Sequence, residues 1–194
     1  MEQEFKKVNF AEYEGKYNAD TLVDMEINPE EISIETMREC MYGYTFTEDF
    51  AQNKYPDELS MDYWKKMYDE DCEAMLEYID INDVDWEDSL LEDNNEEEEI
   101  DMYEVDTPQE RLLLQTIDST GDGRTPETAL CVIHVANEYE YLDRVFPFYN
   151  FKVIKQTVDN GIDCLHFAPN TFDIECIYFD IHRWFDVHAA PTTA

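Results

Sequence analysis

The chain has 194 residues, with 13 Lys and Arg set against 48 Asp and Glu, a formal net charge of -35. That charge excludes nucleic acid, a polyanion whose binding needs phosphate-neutralising Lys and Arg, and it excludes anionic membrane surfaces for the same reason. A basic protein, a Lys- or Arg-rich peptide or a divalent cation remains as the favoured kind of partner.

Acidity is not spread evenly. Through Thr107 there are 35 acids and 7 bases, whereas from Pro108 onward there are 13 acids and 6 bases, and no base lies between Lys66 and Arg111. The chain therefore divides into a helical acidic region (1–91), an acidic linker (92–106) and an α+β sheet domain (107–190).

In chain order, residues 1–20 include Glu2, Glu4, Glu12 and Glu14 and lack the basic-then-apolar layout of a signal peptide. No run approaches the length of a membrane span, so the expectation is a soluble cytoplasmic protein. Asn28-Pro29-Glu30-Glu31 is a capped turn, and Ser33 opens a helix carrying Met37 and Met41 that ends near Gly43. From Tyr42 to Tyr55 neither helical nor alternating spacing persists, which predicts an ordered aromatic loop. Ser60 caps the next helix, with Met61, Trp64, Tyr68, Cys72, Met75, Leu76 and Ile79 at spacings of three and four. Trp86, Leu90 and Leu91 suggest another helix before the run of like charges from Glu92 to Glu99, which reads as a solvated linker.

Thr107-Pro108-Gln109-Glu110 combines an N-cap Thr, a first-turn proline and a capping-box Glu. After Gly121-Asp122-Gly123, residues 129–135 are apolar and β-branched enough to predict a strand, followed by a helix around Glu138 to Leu142. Strands are predicted at 151–158, 164–167 and 175–181. Asn160-Gly161 is a strong hairpin signal, so these three form an antiparallel meander. The five cysteines (Cys40, Cys72, Cys131, Cys164, Cys176) are odd in number and dispersed, which predicts reduced thiols rather than a disulfide framework.

Several segments together carry a family resemblance. They are Met41-Tyr42-Gly43-Tyr44-Thr45-Phe46, the block from Asp118 through Gly121-Asp122-Gly123 to Ala129, Val132-Ile133-His134-Val135 with Glu138 to Leu142, and Ile177-Tyr178-Phe179-Asp180-Ile181. From about Thr21 onward the chain resembles an uncharacterised bacterial family, chiefly from Bacteroidetes, whose members carry a domain of unknown function and often a signal peptide. The resemblance brings no established activity or catalytic residues. The same blocks also look like ones in small bacterial immunity-type proteins.

Chemistry-bearing constellations are few. Asp118, Thr120 and Asp122 with Gly123 suggest a calcium loop, but Ala129 stands where a bidentate Glu is required, and a turn stabilised by Gly121, Gly123 and Asp122 explains the block as well. Cys164 and His166 share one strand face, as do Cys176, Tyr178, Asp180 and His182 on the next. Sequence does not fix the register that would bring them together, and paired zinc spacings are absent. The segment from Glu138 to Tyr141 reads as an exposed rim. No nucleophile elbow, phosphate loop, zinc-protease motif or cofactor-binding motif is present.

The leading expectation is a non-catalytic interaction protein that neutralises a basic partner, as an immunity protein or antitoxin does, with Tyr42, Tyr44 and Phe46 as aromatic anchors. A divalent-cation or small-ligand module on Asp118, Asp122 and Glu127 is the first alternative. A hydrolase whose site assembles only in space is the second.

Overall fold

The computed structural model describes residues 5–78, 107–146 and 152–188, with backbone alone for 71–78. The helix expected around Trp86, the linker at 92–106 and the side chain of Cys72 lie outside the described residues.

Among the described residues, four α-helices precede the linker: α1 (Asp20–Ile27), α2 (Ile34–Tyr44), α3 (Glu48–Ala51) and α4 (Met61–Tyr78). Ser33 caps α2 by accepting from the Thr36 amide at 3.1 Å, and Ser60 accepts from the Tyr63 amide at the start of α4. Asn28-Pro29 opens a single 3-10 turn, Pro29–Glu31. After the linker come α5 (Pro108–Asp118), β1 (Leu130–Cys131), α6 (Val135–Val145), β2 (Val153–Asp159), β3 (Ile162–Phe167), β4 (Cys176–Asp180) and α7 (His182–His188). Sheet order is β1-β4-β3-β2, with β1 parallel to β4 and the other pairs antiparallel. The architecture is α+β, helical in the first half and with a small mixed sheet in the second.

The meander forms as its turn chemistry requires. Asn160 and Gly161 both take positive φ, 50° and 77°, and reverse the chain between β2 and β3. A Cβ at Gly161 would sit 2.2 Å from the His182 Cβ, so the turn also admits α7 to close approach.

Two predicted elements change. Residues 129–135 contribute only the two-residue β1, because His134 caps α6: its Nδ1 accepts from the Ala136 amide at 3.1 Å. Val132 and Ile133 are wholly buried and serve as a core plug between strand and helix. The aromatic segment is not a loop throughout, since Tyr42, Gly43 and Tyr44 complete α2 and Thr47 caps α3. Gly43 stands one residue before the end of α2, as expected. It lets the backbone of Tyr17 approach, and a Cβ there would lie 2.7 Å from the Tyr17 amide nitrogen.

One apolar cluster draws on both sides of the linker, joining Met25, Met37, Met41, Tyr42, Phe50 and Trp64 to Leu113, Ile117, Ile133, Leu165 and Phe179. Polar ties cross the same boundary. The Tyr42 hydroxyl donates to the Cys131 carbonyl at 3.1 Å, and Arg38, buried in α2, donates to Ser119 Oγ at 2.7 Å while also holding the Lys6 carbonyl on its own side at 2.8 Å. Glu140 accepts from Ser60 Oγ and the Met61 amide, placing a carboxylate at the N-terminus of α4 where the helix dipole favours negative charge.

Candidate functional site

Helix α1 has a buried face and an unusual exposed one. Thr21, Leu22 and Met25 recur at spacings that bring them to one side and are buried. The opposite side presents Val23, 53% exposed, and Ile27, 65% exposed, one turn apart. On the helix surface these two lie between Glu26 on one flank and Asp20 and Asp24 on the other, all three exposed. Large aliphatic side chains left in water lose the gain of burial, about 25 cal/mol per Å2.

Three lysines of the helical half are engaged within the protein. Lys6 pairs with Glu35 at 3.0 Å, Lys16 with Glu39 at 2.6 Å and Lys54 with Asp49 at 2.7 Å, all at exposed positions where such pairs contribute little to stability. Their effect is to neutralise a few carboxylates and leave the remainder as a negative field. Glu30 and Glu31, just beyond α1, are exposed as well.

The aromatic anchors expected from sequence have other places. Tyr42 is wholly buried and Tyr44 is 4% exposed, its hydroxyl donating to the Lys54 carbonyl at 2.7 Å. Burial pushes the Tyr44 hydroxyl up to about 12. Phe46 is half-buried, and its ring face carries the guanidinium of Arg183 from α7 at 4.1 Å. The cation–π chemistry expected of this segment is thus made within the chain.

The three acidic candidates do not converge. Asp118, half-buried at the end of α5, accepts from the Tyr141 hydroxyl at 2.7 Å, and burial raises its pKa above the usual carboxylate value. Asp122 accepts from the Arg124 amide at 3.1 Å and from Thr128 Oγ1 at 2.6 Å. Against partial burial, which works the other way, those donors hold its pKa below the ordinary value. Glu127 is exposed in the turn Pro126–Thr128. Gly123 has φ 66°, and a Cβ there would meet Ile177 at 2.9 Å and Leu130 at 3.0 Å, so the glycine block folds as a packed turn over the sheet.

The segment from Glu138 to Tyr141 is an exposed rim only at Tyr139. Glu138, Glu140 and Tyr141 are buried. Residue sidedness on α6 carries them inward, where Glu138 meets Asp163 of β3, itself 1% exposed. Burial foremost, and then the Asp163 charge, raise the Glu138 carboxyl to about 8. The strand residues singled out by sequence separate into two sets: Asp180 pairs with His182, while Cys164, His166 and Cys176 come together on β3 and β4.

The profile of a family described as a domain of unknown function (DUF4919) matches residues 12–189. The chain belongs to that family. No curated protein and no solved structure matches it. No helix among the described residues of this DUF4919 chain is long and apolar enough to cross a membrane. The site residue set that sequence reasoning missed is α1 itself, whose cap residue Ala19 offers no side-chain bond and whose only signal is the spacing of Leu22 and Met25.

Proposed function

We propose that the protein is a non-catalytic interaction module that binds a basic protein partner through its acidic helical half, in the manner of an immunity protein or antitoxin. The observation that carries this reading is the exposed Val23–Ile27 stripe flanked by Asp20, Asp24 and Glu26 on α1. An amphipathic basic surface suits it: aliphatic contact excludes water at the centre, and carboxylates at the rim steer the partner and pair with its Lys and Arg. Cysteines left as free thiols (Cys40, Cys131, Cys164, Cys176) accord with action in a reducing cytoplasm.

Capture on the immobilised full chain from lysate of its own cells, at low and at high salt, tests the reading. The expected result is a basic protein retained at low salt and released as exposed charges are screened. Retention of acidic or neutral proteins alone, unaffected by salt, would overturn it.

A further inference from the structure

The outer face of the sheet carries a second cluster, remote in type from the acidic helices. On β3 and β4 the pairing register sets His166 opposite Cys176 and Cys164 opposite Tyr178. Cys164, His166 and Cys176 thereby share one face, while Leu165, Ile177 and Phe179 turn into the core on the other. One ligand atom from each of the three lies within 4.8 Å of the others. Cys164 is 6% exposed, and His166 and Cys176 are half-buried, so the cluster is open on one side.

Two thiols so close invite either a disulfide or a metal. Cys164 and Cys176 are a diagonal pair rather than a directly opposed one, and diagonal cross-strand Cα atoms stand about 7–8 Å apart. A disulfide without backbone movement needs Cα atoms no more than about 6.8 Å apart. The diagonal therefore disfavours the disulfide. A metal ion bridges the wider gap, because each sulfur sits about 2.3 Å from zinc and two ligands of a tetrahedron stand about 3.8 Å apart. Small side-chain rotations bring the three ligand atoms, already within 4.8 Å of one another, onto such a centre.

The surroundings also fit an ion. His166 Nε2 lies 3.2 Å from Thr157 Oγ1 of β2, a contact that orients the ring as the hydrogen bond behind a metal-bound imidazole does and leaves Nδ1 for the ion. Tyr178, opposite Cys164 in the register, borders the cluster on the same face. Two sulfurs and an imidazole form a soft donor set that selects zinc over magnesium or calcium.

We propose that Cys164, His166 and Cys176 bind one Zn2+ ion, with the fourth position facing solvent. Binding replaces the two thiol protons, which pass to the buffer, and involves no redox change. The ion then clips β3 to β4 on the face that the core does not hold.

The test uses the full chain, reduced and stripped of metal, titrated with Co2+ as a spectroscopic stand-in for zinc. The expected result is a thiolate-to-cobalt charge-transfer band with the intense d–d bands of tetrahedral cobalt, saturating at one ion per chain and removed by added Zn2+. Cys164→Ser with Cys176→Ser abolishes the bands, Cys72→Ser leaves them, and Thr157→Val weakens binding about ten-fold. Zinc alone raises the melting temperature of the native chain by about 5 °C at saturating excess and leaves that of the double variant unchanged, which separates ligand loss from misfolding. Absence of the charge-transfer band, or its persistence in the double variant, would overturn the proposal.

Discussion

Glu138 of α6 and Asp163 of β3 bring their carboxyl groups together in the core. No donor reaches either oxygen of Glu138 or Oδ1 of Asp163, and Gln156 donates to the remaining Asp163 oxygen. Two facing acceptors are costly unless a proton sits between them.

That proton makes stability fall with rising pH. The Glu138 carboxyl ionises near 4.5 when unfolded and near 8 in the fold. Between those values the unfolded chain holds fewer protons, so the contribution is full below about pH 4.5 and is lost as pH rises to about 8. The loss by neutral pH is on the order of 3 kcal/mol. Glu138→Gln removes it, and urea melts at pH 5 and pH 8 should show the variant gaining stability over the native chain only at the higher pH.

Arg144 of α6 is buried and donates to Glu110 of α5 at 2.7 Å and to Asp62 of α4 at 2.8 Å. Glu110 is fully enclosed and also accepts from the Thr107 hydroxyl, so it has no water to fall back on. Arg144→Met is expected to cost about 3–5 kcal/mol by leaving that carboxylate unpaired. Combining it with Glu110→Gln should recover part of the loss, as denaturant midpoints would show.

Gly161→Ala introduces a Cβ into the 2.2 Å gap to His182 and forces φ of 77° on an L side chain. About 2 kcal/mol or more should be lost. Asn160→Gly, which relaxes its own positive φ, should be close to neutral in the same melts.

Tyr42→Phe keeps the ring in place and deletes only the bond to the Cys131 carbonyl. The expected cost is about 1 kcal/mol in thermal or chemical melts. A much larger loss would mean that the ring itself shifts.

Local signals were the legible part of this fold. Ser33, Ser60 and Thr107 cap their helices and Asn160-Gly161 turns the hairpin, because each effect acts over two or three residues. What escaped sequence reasoning depends on distant contacts. Glu140 is buried because Ser60, 80 positions away, supplies a donor, and Gly43 is required where it stands because the Tyr17 backbone packs on it. A His134 cap turned an apolar strand pattern into a helix start, since apolar runs record burial rather than backbone shape. Of the site, the acidic character of the helical half was plain from charge counts. The Val23–Ile27 stripe was not, because an exposed aliphatic pair on a helix looks like core in a one-dimensional pattern.

Charge reversal of the α1 rim tests the account most directly. In Asp20→Lys/Asp24→Lys/Glu26→Lys, three exposed side chains change sign while the buried Thr21, Leu22 and Met25 stay as they are. Measured against the captured basic partner at low salt, affinity should fall at least about ten-fold, chiefly through slower association, with the melt of the free chain little changed. Equal affinity and an equal salt dependence in the variant would contradict the account.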